Sequence, residues 1–428
     1  MRNAIASVRG RRVWDSRGRP TVEAEVRLSG GAVGRAIAPA GASTGRGEAL
    51  DRRDGGTVLG GFGVSGPVSV VNSEIARILP GIDVREQAQI DAAMIDLDGT
   101  PDKSRLGANA LVAVSMAVAH AAAAAEAVPL WHYLSGGLTN LDLPLPEIQI
   151  FGGGAHAGRR VDVQDFMVIA VGAETFDQAL EWTAEVYLAA GRAMAERGQL
   201  QGVADEGGFW PAFDNNEQAL DVLVGAIESA GFRPGDEVAI SLDIAATDFF
   251  SDGHYRLARD GREVDGDELS ETLLGWLRRY PIVSIEDPLA EDDVAGMSRF
   301  TAAAGATVEV VADDFICTNA QRITAAAAAR ACNTALIKPN QVGTLTETRA
   351  ALEAARDAGW EAIVSARSGE TEDVTIVHLA VGWGVRQLKV GSFARSERMA
   401  KWNEGLRIGE ALDELGSLPP RSSFPWGR

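Results

Sequence analysis

The stretch Val283-Ser-Ile-Glu-Asp-Pro-Leu289 decides the fold, because it is an apolar strand that ends in a carboxylate. Val283 and Ile285 are β-branched, as is typical of a buried strand. Pro288 prevents the strand from continuing. Glu286 therefore lies where the strand stops.

The same pattern recurs on both sides of this stretch. Residues 238–243 and 308–313 are apolar runs that end in an aspartate, and three later runs end in Lys338, Ser365 and Lys389. The polar ends recur at roughly 25- to 45-residue intervals, and a parallel strand with its crossover helix and loops needs about 30 residues. The series predicts a βα barrel whose working face lies at the carboxyl ends of the strands.

The first third of the chain has a different organisation. Residues 3–38 alternate in short polar and apolar runs, which predicts an antiparallel hairpin with one solvated face. Amphipathic helices are predicted over 69–79 and 84–95. The Ala-rich run 106–128 predicts a packed core helix rather than a membrane span, because Ala contributes little to membrane insertion. Strands followed by helices are typical of an α+β domain.

These patterns divide the chain into an N-terminal α+β domain over 1–137 and a barrel domain over 138–428. Early in the second domain, residues 152–158 read Gly-Gly-Gly-Ala-His-Ala-Gly, which is too rich in glycine for a long helix or strand. The run contains no phosphate-binding fingerprint. It predicts a mobile lid that carries His156.

The overall charge excludes several classes of partner. The formal net charge is −20, which disfavours nucleic acid and anionic membranes. A small anionic substrate would then need local cations, either a metal ion or a few placed Lys and Arg residues. Cys317 and Cys332 are too few for a disulfide framework, and the start of the chain does not resemble a signal peptide. A cytoplasmic location is therefore expected.

Three acidic strand ends in succession predict a site for a hard divalent cation. Asp243, Glu286 and Asp313 offer the oxygen ligands that Mg²⁺ prefers, although any one of them alone could be a solvated strand terminus. Lys338 ends the next strand. Near a cation it could lose its proton and act as a base, and pairing with an Asp is the alternative. Two more carboxylates are open to either interpretation, acid–base group or loop residue: Glu206 and Asp165.

Eight motifs, in order along nearly the whole chain, resemble those of the enolase family. They are Asp15-Ser-Arg-Gly, Gly41-Ala-Ser-Thr-Gly45, Leu106-Gly-Ala-Asn109, Asp205-Glu-Gly-Gly208, Ser284-Ile-Glu-Asp-Pro288, Asn340-Gln-Val-Gly-Thr344, Arg367-Ser-Gly-Glu-Thr-Glu-Asp373 and Ala394-Arg-Ser-Glu-Arg398. The resemblance implies an α/β fold, a modified (β/α)8 TIM barrel with an N-terminal α+β capping domain. It also implies a hydro-lyase that removes water from 2-phosphoglycerate with two Mg²⁺ ions in each active site.

The resemblance implies a role for individual residues. Asp243, Glu286 and Asp313 would bind the first metal, and Ser43 would help to bind the second. Lys338 would be the base that removes the C2 proton. Such a proton is weakly acidic, because its removal leaves a dianionic enolate that only nearby positive charge can stabilise.

The remaining implied roles surround the substrate. Glu206, together with Asp165, would assist departure of the C3 hydroxyl, since hydroxide needs a protonated partner to leave. The residues implied in substrate binding are Arg367 and Ser368 at the phosphate, Lys389 at the carboxylate region, His156 on its closing loop, and Gln164 lining the site.

Two substitutions depart from the family pattern. Asp165 stands where enolases carry a glutamate, and Ala366 stands where they carry a histidine. The shorter carboxylate lies back by roughly 1 to 1.5 Å, a misplacement that can cost about a hundredfold in rate. The metal ligands and the lysine base are retained. The pattern therefore resembles the carboxyphosphonoenolpyruvate synthases of phosphonate antibiotic biosynthesis, whose glycerate carries a carboxyphosphono group. Its extra carboxylate could occupy the space beside Ala366 and meet Arg159, Arg160 or Arg367.

Two alternatives to a carboxyphosphono substrate remain. The first is an ordinary glycolytic enolase that tolerates both substitutions. The second is a non-catalytic binding protein of the same fold, which predicts gaps among the metal ligands and the lysine base, and the sequence has none. A racemase-type relative should carry a Lys-x-Lys pair in an early barrel strand, and residues 161–165 contain no lysine.

The resemblance also implies a homodimer or a higher homo-oligomer. The intersubunit pairing of the family would match Glu23 with Arg407 of the partner subunit. A monomeric mass by light scattering at micromolar concentration would contradict this expectation.

Overall fold

The structure is a computed structural model that describes residues 2–138, 140–210, 212–412 and 416–427, without the side chain of His156. Its first part contains a three-stranded antiparallel sheet in the order β1 (Ile5–Trp14), β2 (Pro20–Leu28) and β3 (Val33–Ile37). The third strand extends the predicted hairpin. It forms because the chain reverses after β2 at Gly31, where φ is +94° and the amide donates to the Leu28 carbonyl.

Helices cover one face of this sheet. They are α1 (Ser65–Val70), a π-helical turn (Val71–Ile75), α2 (Ala76–Ile78), α3 (Gln87–Asp98), α4 (Ala108–Glu126) and α5 (Leu130–Leu134). The first helical segment begins four residues before the predicted 69–79, and α3 begins at Gln87 instead of residue 84.

The Ala-rich helix α4 lies in the core of the first domain, against β2 and β3. A Cβ on Gly34 would lie 2.1 Å from the Ala117 carbonyl oxygen, so strand and helix approach each other as closely as backbones allow. The helix is long and apolar enough to cross a membrane, but 83% of its apolar window is buried inside the protein. Its apolar surface is therefore used in packing this domain.

The second part of the chain contains strands β4 to β14. They are β4 (Leu145–Gly152), β5 (Asp165–Ile169), β6 (Ala239–Asp243), β7 (Phe250–Ser251), β8 (His254–Leu257), β9 (Arg262–Val264), β10 (Ile282–Glu286), β11 (Glu309–Ala312), β12 (Thr334–Ile337), β13 (Glu361–Ser365) and β14 (Gln387–Ser392). Strands β7, β8 and β9 form a small separate sheet, and the other eight close into a barrel in the order β4-β5-β6-β10-β11-β12-β13-β14.

Helices alternate with most of these strands. They are α6 (Phe176–Glu196), α7 (Asn216–Ser229), α8 (Gly266–Arg279), α9 (Val294–Ala304), α10 (Ala320–Ala328), α11 (Pro339–Val342), α12 (Leu345–Asp357), α13 (Thr375–Gly382) and α14 (Ser396–Leu412). Helix α8 shows why they form: Asp265 and Glu268 make a reciprocal capping box, and its apolar stripe buries Leu269, Leu273 and Trp276. The fold class predicted from the sequence is confirmed.

Strand β5 runs opposite to both of its neighbours in the barrel. Its first residue, Asp165, is paired with Asp243, the last residue of β6. Strand β5 begins at Asp165 itself. Because β5 is inverted, its amino end lies at the same mouth as the carboxyl ends of the parallel strands.

Residues of the expected subunit contact have partners within the chain. Glu23 on β2 binds Arg11, and Arg407 is exposed and pairs with Glu404 on the same helix. The homodimer stays a prediction.

The interior of the barrel below the mouth contains a set of buried polar side chains. Ser241 donates to Glu147, and Gln387 Nε2 donates to Glu309 Oε2 at 3.0 Å. All four side chains are buried, and Glu309 Oε1 and Gln387 Oε1 have no hydrogen-bond partner among the described residues. Burial, with a smaller contribution from Glu147, raises the pKa of Glu309 to about 8.

We expect Glu309→Gln to stabilise the protein at pH 8 and to change its stability little at pH 5. The folded protein holds a proton on Glu309 up to about pH 8, whereas the ordinary value is 4.5. Wild-type stability is therefore lost as the pH rises between these values, by on the order of 4 kcal/mol. A glutamine does not titrate and avoids that loss. Thermal melting at both pH values measures it, with the exposed Glu271→Gln as the control. An equal Tm difference at pH 5 and pH 8 would contradict the expectation.

Candidate active site

Two acidic strand ends converge on one ammonium group at the mouth of the barrel. Asp243 and Glu286 are the last residues of neighbouring strands and are paired in register. Lys389 Nζ lies 2.9 Å from Asp243 Oδ2 and 2.6 Å from Glu286 Oε2. Burial and the charge of Asp243 raise the pKa of Glu286 well above its usual value. Two acids so close together require a cation between them.

The third acidic strand end, Asp313, is bound to the lysine of the next strand. Lys338 Nζ donates to Asp313 Oδ2, and Gln341 Nε2 donates to Oδ1 at 2.8 Å. Burial alone would raise the pKa of Asp313, but Lys338, Arg367 and Lys389 together lower that pKa below its usual value. Burial alone would lower the pKa of Lys338, but Asp313 raises it above its usual value. In this arrangement the pair is ionic.

A second cluster of carboxylates, which shares Asp313 with the site, has a structural role. One oxygen each of Asp287, Asp313 and Asp314 lie within 4.8 Å of one another. Both oxygens of Asp287 accept backbone hydrogen bonds, from the amide of Asp313 at 3.0 Å and that of Asp314 at 2.8 Å. Asp287 thus positions the chain after β11 and presents Asp313 to the mouth.

Arg367 joins the barrel to the N-terminal domain. Its guanidinium donates to both oxygens of Glu48, at 2.9 and 3.1 Å, and to the carbonyl of Ser43 at 3.0 Å. The backbones of Ala40 and Gly369 exchange two hydrogen bonds of 2.9 Å. The small-residue loop 39–45 is therefore folded over the mouth.

Small residues in this loop are required by the space available. A Cβ on Gly41 would lie 2.0 Å from a guanidinium nitrogen of Arg367. Ser368 Oγ accepts from the amide of Ala42 at 3.0 Å. Only residues of this size allow Arg367 and Ser368 to reach the loop.

One small cavity brings together most of the residues that the sequence singled out. Its volume is about 20 Å³, the room of about one water molecule, because the ion pairs fill the mouth. It is lined by Ser43, Gln164, Asp165, Glu206, Asp243, Lys338, Ser365, Ala366, Arg367, Ser368 and Lys389. Glu206 and Asp165 are both buried, so neither is a surface carboxylate.

The side-chain oxygens at the mouth are suitable ligands for a metal ion. Glu286 Oε1 and Gln164 Oε1 are buried and have no hydrogen-bond partner among the described residues. The Lys389 ammonium already stands in for a cation between Asp243 and Glu286. Glu286 is also affected by Asp313, which raises its pKa further. These oxygens are the ligand type that Mg²⁺ prefers.

Glu286 and Asp313 contact Lys389 and Lys338 without lining the cavity themselves. Three further expected positions are not among the described residues that line it. His156 has its backbone in a 3₁₀ turn, Gly154–Ala157, and its side chain lies outside the described structure. Arg159 donates to the Asp248 carbonyl, and both Arg159 and Arg160 are exposed. Neither arginine lines the cavity beside Ala366, so the expectation that they meet an added carboxylate there is not supported by their positions.

Sequence reasoning missed four residues that hold the site together. Glu48 accepts from Arg367, and Gln149 donates to Asp165. Asp287 accepts from the backbone amide of Asp313, and Gln341 donates to the Asp313 carboxylate. Asp287 and Gln341 lie within the quoted motifs. Gln149 could have been noticed as a polar residue inside the mainly apolar stretch of β4. Glu48 had no comparable signal.

Comparison with known proteins covers both parts of the chain. A profile described as "Enolase, N-terminal domain" matches residues 5–134, and one described as "Enolase, C-terminal TIM barrel domain" matches residues 140–423. A protein of Acidothermus cellulolyticus named "Enolase" is 48% identical over 421 residues, which cover 98% of this chain and 97% of that protein.

We expect Mg²⁺ binding to depend on Asp243 and Glu286. Asp243→Asn and Glu286→Gln each remove a negatively charged ligand and should weaken binding at least about tenfold. Isothermal titration calorimetry with MgCl₂ measures the affinity. The matched control is Asp267→Asn, a surface acid that pairs with Arg299. Unchanged affinity in both ligand variants would contradict the assignment.

Proposed function

This chain belongs to the enolase family of hydro-lyases, and we propose that it removes water from 2-phosphoglycerate to give phosphoenolpyruvate. The observation that carries the proposal is the single cavity shared by Lys338, Glu206, Arg367 and Lys389. It offers a base, an acid–base carboxylate and cationic groups for an anionic substrate. The relative named "Enolase" supports this substrate over the carboxyphosphono derivative that the sequence favoured.

Members of this family depend on Mg²⁺, and we infer two ions in each site. Asp243, Glu286 and Asp313 would hold one ion, and Ser43 would contribute to the second. When bound, the ions would stabilise the negative charge that develops on the substrate carboxylate as C2 loses its proton.

Lys338 would take that proton. It accepts a proton only when neutral, so its ion pair with Asp313 must first be broken. Without Asp313, burial lowers the pKa of Lys338, and the nearby charges of Arg367 and Lys389 lower it further. Asp313 thus determines whether Lys338 is a counter-ion or a base.

The other residues would bind the substrate and assist the leaving group. Glu206 and Asp165 line the cavity together and would protonate the departing C3 hydroxyl. Arg367 and Ser368 would bind the phosphate, in place of part of their present contacts with the loop 39–45. Lys389 would bind the carboxylate region. The loop around His156 would close over the bound substrate.

A glycerate with a carboxyphosphono group is the second candidate substrate. The observation in its favour is that both departures from the family pattern, Asp165 and Ala366, line the cavity. Ala366 contributes only a methyl group where the family places an imidazole. The enzyme would then act in phosphonate antibiotic biosynthesis. Cys317 and Cys332 are buried and free, which supports a cytoplasmic location for either activity.

We expect the wild type to form phosphoenolpyruvate from 2-phosphoglycerate with Mg²⁺, and Lys338→Ala to lower kcat by about 10³-fold or more. Lys338→Ala should also abolish exchange of the C2 hydrogen with D₂O, because the base is gone. Product absorbance and NMR measure the two effects. Lys103→Ala, which removes a lysine paired with Glu347 outside the site, is the control. The proposal fails if the wild type leaves 2-phosphoglycerate unchanged.

We expect Ala366→His to separate the two substrates. An imidazole would fill the space beside Arg367 and supply a donor, so kcat/KM for 2-phosphoglycerate should rise relative to the carboxyphosphono derivative by about tenfold. Assays of wild type and variant with both compounds measure the ratio. An unchanged ratio would show that position 366 does not discriminate between them.

A further inference from the structure

Gln149 connects the two acid–base carboxylates of the site through its side-chain amide. It lies on β4 and is fully buried. Its Nε2 donates to Asp165 Oδ1, and its Oε1 accepts from the backbone amide of Gly208 at 2.8 Å. Gly208 ends the turn that carries Glu206. One amide therefore contacts both halves of the leaving-group machinery.

The amide is held in one orientation. A carboxylate needs a donor and a backbone amide needs an acceptor, and the two ends of Gln149 satisfy these needs only in the observed direction. A flipped amide would place oxygen against oxygen at Asp165 and donor against donor at Gly208. Leaving either buried group without its hydrogen bond would carry the full desolvation cost of that group.

The turn bearing Glu206 rests directly on Gln149. A Cβ on Gly208 would lie 2.4 Å from Gln149 Oε1, so the backbone touches the amide with no space between. On its other side the turn is held by the Ser392 amide, which donates to the Glu206 carbonyl at 2.9 Å. The position of Glu206 therefore depends on how far the Gln149 side chain reaches.

Asp165 is confined in the same way. Oδ1 faces Gln149, and Oδ2 lies 3.7 Å from Lys389 Nζ. Asp165 is 1% exposed. A longer side chain at position 165 would drive its carboxyl into the Gln149 amide, by roughly 1 to 1.5 Å.

We propose that Gln149 is a positioning residue whose length is matched to Asp165. The long side chain of Gln149 reaches the short side chain of Asp165. Through its contact with Gly208, it also sets the distance between Asp165 and Glu206. Asn at 149 with Glu at 165 would keep the combined length, whereas either change alone would leave a gap or an overlap. This inference rests on the proposed dehydration, because Asp165 and Glu206 act there on the leaving group.

The test compares wild type with Gln149→Asn, Asp165→Glu and the double variant. We measure kcat and KM for 2-phosphoglycerate with saturating Mg²⁺, and Tm for all four proteins. Each single change should lower kcat by about 10- to 100-fold, because it displaces an acid–base group by about 1 Å. KM should change by less than about threefold, since neither residue binds the phosphate. The double variant should return to within about tenfold of wild type.

If the wild type is active, either of two results would overturn the proposal. If the kcat losses of the single variants multiply in the double variant, the two lengths are independent. Gln87→Asn is the matched control, because Gln87 Nε2 donates to Asp91 at 3.1 Å in the N-terminal domain. It should lower Tm and leave kcat unchanged. If it lowers kcat as much as Gln149→Asn, the effect of Gln149 is one of stability alone.

Failure of the proposed function is distinguishable from failure of this inference. If the wild type does not convert 2-phosphoglycerate, the proposed activity is wrong, and the Tm values decide about Gln149. The length match is supported if the Tm decrease of the double variant is smaller than the sum of the decreases of the two single variants. Additive Tm decreases would overturn it.

Discussion

The Lys389 ammonium is the group on which the arrangement at the barrel mouth depends. It contacts Asp243 and Glu286 directly and lies 3.7 Å from Asp165, all of them buried. Buried carboxylates without a cation would be protonated or would destabilise the fold, and removing one partner of such a pair costs about 3–5 kcal/mol. Burial alone would lower the pKa of Lys389, but Asp243 and Glu286 raise it well above its usual value. The ammonium therefore stays charged.

Carboxylates still outnumber cations at this mouth. Arg367 is paired with Glu48 and Lys338 with Asp313, whereas the single ammonium of Lys389 faces Asp165, Asp243 and Glu286. A protein with a net charge of −20 adds to this negative field. A divalent cation would allow a multiply charged anion to bind in such a site, because it reverses the sign of the local electrostatic field.

The site is shared between two domains. The N-terminal domain contributes the loop 39–45 and Glu48, and the barrel contributes the strand ends. Arg367 is central to this contact, because its side chain contacts the loop and also lines the cavity. In the proposed function, substrate phosphate would compete with the loop for Arg367, and substrate binding would then be coupled to loop position through one side chain.

Sequence reasoning reached the fold and most of the residues that line the cavity, because both depend on local patterns in the chain. An apolar run that stops at Asp243, Glu286 or Lys338 places that side chain at a strand end whatever surrounds it. The loops could be assigned only through motif resemblance. The partners of those residues were not accessible, because Gln149 and Glu48 act across long sequence separations that no local pattern records.

Local sequence patterns are enough to assign particular side chains to the ends of the barrel strands, because alternation and strand termination are local properties of the chain. Which of these side chains touch one another depends on the folded barrel. The inversion of β5 brings Asp165 beside Asp243, and closure of the barrel brings Lys389 to both acids. These contacts follow from strand direction and barrel closure, which depend on packing of the whole domain.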